Sequence, residues 1–478
     1  MKTKLKLGLK ITALLLVCIF PVVTVFSVAF LSSPEFDESF VGALDEKLER
    51  LAEIDEDKLV IIGGSSAAFG YDSAIIEKYL DMPVVNLGLY AALGTKLMLD
   101  LSKDSICEGD IVVIAPELDA QTLSLYFSAS TTLRALDGSP KYLSRIPKEH
   151  RVSLLGASWS FAAEKLSYKL FGGAEYDGVY SAKSFNDYGD IGVYRAANTM
   201  HQYYDPNLPI LLDGSIIDGD FVDYLNDYIA YVKSVGATVY FEFCPMNRLA
   251  ISEETSSYEA MSAFQELVEN TFDCEVVGYV EDYIYDEGYF YDSNFHLNSA
   301  GVVKHTVNVT RDLLIALGVP SAVNEEIPDP PALPELDLRY FEEDENSKYF
   351  EYEKMANGAY MIVGVKEQYR NEKTLTVPLG YNGYKVMVIG PSAFSDSSVE
   401  RLILTEDTSV RQFANGAFLG AGSLSEMYIY YPEESDISPP LDFIGTKADF
   451  KVYVPLGSNY MSGYFWSERN LTFEYIFD

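Results

Sequence analysis

The chain has 478 residues, 35 basic against 72 acidic side chains and a formal net charge of −37, and 48% of it is hydrophobic. That length is too great for one compact core and asks for two or three units, which this hydrophobic content can fill. The acidity argues against nucleic acid as a partner and reads as a soluble, self-repelling surface, with no EF-hand spacing to suggest specific cation binding.

The first ten residues contribute +4 through Lys2, Lys4, Lys6 and Lys10, so the remainder carries −41. An uncharged run from Ile11 to Leu31 follows, 21 residues long. It matches an N-terminal transmembrane helix over 1–35, with Pro21 as a kink; the alternative is a signal peptide cleaved after Ser27-Val28-Ala29. In both cases the lysines stay inside and the C-terminal body is exported. Cys18 follows Val17 within the apolar run, which does not fit lipidation. Residues 36–57 read as a short polar helix or stalk with Leu44, Leu48 and Leu51 on one face. Beyond the anchor only Cys107, Cys244 and Cys274 remain, too few for a disulfide framework and without CxxC spacing for zinc.

From Lys58 short apolar runs alternate with helical stretches: KLVII before SAIIEKYL, PVVNLG before GTKLMLDLSK, DIVVIAP, then FVDYLNDYIAYVKSVG before TVYFEFCP. This rhythm predicts a three-layer α/β/α domain on a parallel sheet over 58–318. Residues 121–212 break it with aromatic, turn-rich sequence. They read as an insertion over the carboxyl edge of the sheet, either a wall for substrate or ordinary packing. A Pro- and acid-rich linker spans 319–347. Beyond it, 348–478 is β-rich and internally repeated: Pro391-Ser392-Ala393-Phe394 recurs as Asn415-Gly416-Ala417-Phe418, and VERLIL as LSEMYI. A period in the twenties with one strand per repeat predicts a small solenoid. The phrases LTVPLGYNGYKVMVIGPSAF and DFKVYVPLGSNY resemble the short leucine-rich repeats of bacterial surface proteins, the BspA-like kind.

The chemistry concentrates at two segments. KLVIIGGSSAAFGYD places Ser65 at a tight turn between a strand and a helix, where a nucleophile, a phosphate cradle or a plain helix cap is equally at home. YFYDSNFHLNSAG places Asp292 and His296 before the last long helix. Serine, then aspartate and histidine, is a catalytic order: His296 would take the Ser65 proton, and Asp292 would fix the imidazole. Backbone N–H groups at Ser65 and Ser66 and at Gly88 are the expected oxyanion donors. No metal site and no cofactor are expected.

Gly63-Gly64-Ser65-Ser66, Asn86-Leu87-Gly88 and the Asp292/His296 block together resemble SGNH (GDSL-like) hydrolases over about 58–318. The resemblance implies a flavodoxin-like three-layer fold. It also implies an ester substrate, best guessed as acetyl or other acyl groups on envelope or extracellular glycans, handled by esterase or O-acyltransferase chemistry. Two departures stand out. Where the family has Gly-x-Asn-Asp, this chain has Ala115-Pro116-Glu117-Leu118, and a carboxylate donates no hydrogen bond unless protonated. Asn86 or Asn247 is a candidate substitute. The aspartate also stands four residues before the histidine instead of three. The competing expectation is a non-catalytic cell-surface binding or adhesion protein that keeps the fold, with a surface or glycan partner for the repeats.

Overall fold

The structure is a computed structural model and describes residues 19–173, 176–319, 321–355, 357–432, 437–440, 443–458, 460, 466 and 471–476. Two compact units divide the chain, Met1–Pro334 and Glu335–Asp478.

In the first unit a helix over 19–31, α1, precedes α2 (Leu44–Glu53). Then come β1 (Leu59–Ile62), α3 (Ser65–Gly70), α4 (Ser73–Leu80), β2 (Val84–Asn86), α5 (Thr95–Ser102) and β3 (Ile111–Ile114). Next are α6 (Ala129–Ala135), α7 (Arg151–Phe171), α8 (Gly219–Ser234), β4 (Thr238–Glu242), β5 (Met246–Asn247) and α9 (Tyr258–Thr271). The unit closes with β6 (Glu275–Val277), β7 (Ile284–Tyr285) and α10 (Ser299–Ala316).

Its main sheet runs in the order β2-β1-β3-β4-β6, every neighbour parallel. LVII of β1 and IVVI of β3 are buried throughout, which is why they read as unbroken apolar runs instead of alternating ones. The helices contribute one apolar face each: α8 buries Phe221, Leu225, Tyr228, Ile229 and Val232, at helical spacing. The strand order reverses at β1, with β2 on one side and β3 on the other. The crevice at the carboxyl ends of these strands is where an open parallel sheet binds ligands.

One expectation needs correction. Residues 36–57 are no stalk: α2 buries Leu44, Leu48 and Leu51 in the core that surrounds the sheet, and it also buries Lys47, whose ammonium donates to the carbonyls of Asn86 and Gly189. The leucine face was legible, but the sheet that covers it was not. The spanning helix expected within 1–35 lies partly outside the described residues, and among those described no helix is long and apolar enough to cross a membrane. The described part, α1, packs through Ala29 and its neighbours against Phe36, Leu133, Phe161 and Ala162.

The second unit is β-rich and curled. The strands β8 (Phe350–Lys354), β9 (Tyr360–Val365), β10 (Thr374–Thr376), β11 (Gly380–Tyr381) and β12 (Tyr384–Ile389) lead into β13 (Arg401–Leu404), β14 (Gln412–Phe413), β15 (Glu426–Ile429), β16 (Lys451–Pro455) and β17 (Thr472–Ile476). The parallel ladder β10-β13-β15-β16-β17 sets Arg401 beside Glu426 and Glu426 beside Lys451, so each step along the sheet advances the chain by about one repeat. Phe394 and Phe418 stack at 6.1 Å, and Phe418 on Phe443 at 5.0 Å, so equivalent rings form a column in the core. Tyr428 and Tyr453 stack at 4.4 Å from adjacent strands.

Candidate active site

Ser65 is the first residue of α3, directly beyond the carboxyl end of β1. The turn that places it is crowded: a Cβ on Gly64 would fall 2.2 Å from Glu117 Oε2, and one on Gly88 would fall 2.5 Å from both Ala67 Cβ and its neighbour's nitrogen, Ala68 N. Glycine at both positions is what lets the three loops close together.

The second segment reaches Ser65 through a tight loop. Phe290 and Leu297 pair across its base, and the Tyr291 N–H donates to the His296 carbonyl at 2.8 Å. This closure folds Asp292 back on His296, so a spacing of four residues serves as well as three. Asn294, wholly buried, anchors the tip by donating to the Asp205 and Leu208 carbonyls. Asn298 ends the loop as the cap of α10, accepting from the N–H groups of Ala300 and Gly301.

The three side chains stand in line. His296 Nε2 is 2.8 Å from Ser65 Oγ, and His296 Nδ1 is 2.8 Å from Asp292 Oδ1. His296 lies flat on Phe69 of α3, ring centroids 4.0 Å apart and 6° from parallel, so the imidazole is held in one plane. The ring is mostly buried while Ser65 is half-exposed, which leaves the nucleophile open to a ligand. This arrangement can move a proton from Ser65 to His296 and stabilise the resulting cation.

Three further residues belong to the site and were not read from the sequence. Tyr180 Oη donates to Asp292 Oδ2 at 2.6 Å, giving the carboxylate a second fixed bond; burial, and then Asp292 itself, push the phenol pKa up and keep it a donor. Phe69 supplies the stacking surface. Arg195 lies over the Phe69 ring at 5.2 Å and donates to the carbonyls of Ile191, Val193 and Leu297. Burial lowers its pKa to about 10 even though Asp292 opposes the shift. Tyr180 and Arg195 come from the 121–212 insertion, where irregular sequence gave no signal for either.

The expected oxyanion donors are differently disposed. The Gly88 N–H is already committed, donating to Asn86 Oδ1 at 2.7 Å. Asn86 is a brace: its amide donates to the Ala67 carbonyl at 2.9 Å and to Asp190 at 2.8 Å. Asn247 lies away from the serine, donating to the Tyr203 carbonyl and capping a short turn through Leu249 N–H. The Ser66 N–H points into the site, and Glu117 meets it: Oε1 accepts from that N–H at 2.7 Å and from Ser65 Oγ at 3.2 Å. Glu117 is almost wholly buried, and its Oε2 has no hydrogen-bond partner among the described residues. Burial raises its pKa from the ordinary carboxyl value, against the lowering effect of the Ser66 N–H.

No protein-family model matches this sequence, and the search of curated proteins finds no match.

Proposed function

We propose that the first unit is an SGNH-type serine esterase or O-acyltransferase, acting on acyl esters, with acetyl groups on envelope or extracellular glycans as the substrate class. The second unit is a short leucine-rich-repeat domain, supported by its ladder of one strand per repeat, which serves binding. The N-terminal segment anchors the body on the outer face of a cell membrane. The observation that carries the catalytic reading is the continuous line Ser65–His296–Asp292 at the point where the strand order reverses.

In this reaction Ser65 Oγ attacks the acyl carbon while its proton passes to His296 Nε2, and the carbonyl electron pair moves onto oxygen. Collapse of that intermediate returns the pair, expels the alcohol oxygen with the proton from His296, and leaves an acyl ester on Ser65. Water, or a second hydroxyl in the transferase case, then repeats the sequence and frees the serine. Asp292 is held throughout by hydrogen bonds from Tyr180 and from the His296 Nδ1–H.

Glu117 favours a second reading, a non-catalytic binding protein, because an ionised carboxylate beside Ser66 N–H would oppose the developing oxyanion. Purified protein assayed with p-nitrophenyl acetate separates the two. Turnover lost in Ser65→Ala supports the enzyme; absence of turnover and of fluorophosphonate labelling in the unaltered protein supports the binding protein.

A further inference from the structure

Ser65 Oγ carries one proton and faces two groups that accept protons, His296 Nε2 at 2.8 Å and Glu117 Oε1 at 3.2 Å. That proton cannot serve both. When it goes to His296, as attack requires, the Ser65–Glu117 contact is a hydrogen bond only if the carboxyl brings a proton of its own. The surroundings agree: Glu117 lies against the Gly64 backbone in a space that admits no Cβ, and Oε2 is buried without a hydrogen-bond partner among the described residues. We propose that Glu117 is a neutral acid in the working site and donates its carboxyl hydrogen bond to the acyl oxygen, in place of a side-chain amide.

This inference rests on the acyl-transfer reading. The acyl oxygen displaces Glu117 Oε1 from the Ser66 N–H and takes a hydrogen bond from that N–H and from the Glu117 O–H as negative charge develops, while the carboxyl proton stays on Glu117. Three titratable groups face it. Asp119, on its own loop, raises its pKa; His296, from the loop before α10, lowers it; and Cys244, beyond β4, is buried with its own pKa raised by desolvation and by Glu117. Burial outweighs the rest in its direction.

The test is kcat/KM for p-nitrophenyl acetate across pH 5 to 9 in the full chain. For the unaltered protein, activity falls as rising pH ionises Glu117. Glu117→Gln, which keeps an N–H donor and nearly the same shape, retains activity within about tenfold and loses that fall. Glu117→Ala loses about 10²- to 10³-fold, the usual cost of one oxyanion donor. A Glu117→Gln profile with the same alkaline fall as the parent overturns the proposal, as does a Glu117→Ala enzyme as fast as the parent. Failure of fluorophosphonate to label the unaltered protein overturns the acyl-transfer reading beneath it.

Discussion

Two histidine–carboxylate pairs lie in the first unit and differ in every respect that matters for chemistry. His296 and Asp292 meet at 2.8 Å near the surface, and the other ring nitrogen faces a half-exposed serine. His305 of α10 and Glu242 at the end of β4 face each other at 3.3 Å with no exposure at all, and the other ring nitrogen of His305 faces Tyr285 Oη at 3.2 Å. Tyr71 donates to Glu242 at 2.9 Å, and Tyr283 packs edge-on to the imidazole. The second pair has the composition of a catalytic pair and neither a nucleophile nor access. What separates machinery from scaffold is the third group and the opening beside it.

The comparison can be broken by substitution at either pair. Ser65→Ala or His296→Ala should cost about 10⁴-fold or more in turnover of p-nitrophenyl acetate, with thermal stability close to the parent. Asp292→Asn should cost about 10²- to 10⁴-fold, because the amide can hold the imidazole in the wrong tautomer. At the buried pair the effects invert: Glu242→Leu should destabilise the first unit by about 3 kcal/mol in urea titration by stranding His305 without its partner, while turnover per folded molecule stays within about twofold. Tyr180→Phe, which removes one of two bonds to Asp292, should lower kcat about tenfold and leave KM nearly unchanged.

The smallest effect is on the pH dependence of stability. Burial raises the Glu242 pKa in the folded state, so the folded protein holds that proton more tightly than the unfolded chain does. Its contribution to stability is therefore greatest in acid and is lost as pH rises from the unfolded value through the raised folded one. Glu242→Gln should flatten that part of the curve; an unchanged slope between pH 4 and 7 would show that Glu242 does not titrate there.

Much of this was legible in the sequence, for identifiable reasons. Strands β1 and β3 stood out because both their faces are buried, and Ser65, Asp292 and His296 because chain order and strand ends constrain a catalytic set. Tyr180 was not legible, since it reaches Asp292 from 112 residues away through irregular sequence. Asn86 shows a different limit: an amide near a serine is as good a donor to substrate as to a neighbouring carbonyl, and only its bonds to Ala67 and Asp190 decide between them. The leucines of α2 announced an apolar face but not the sheet beneath it.

The central claim is that Ser65 is an activated nucleophile, and labelling the full chain with a fluorophosphonate tests it most directly, read by mass spectrometry of the modified peptide. The account predicts one adduct, on Ser65, absent in Ser65→Ala and slowed by orders of magnitude in His296→Ala. An unlabelled parent protein, or equal labelling of the Ser65→Ala variant, would contradict it.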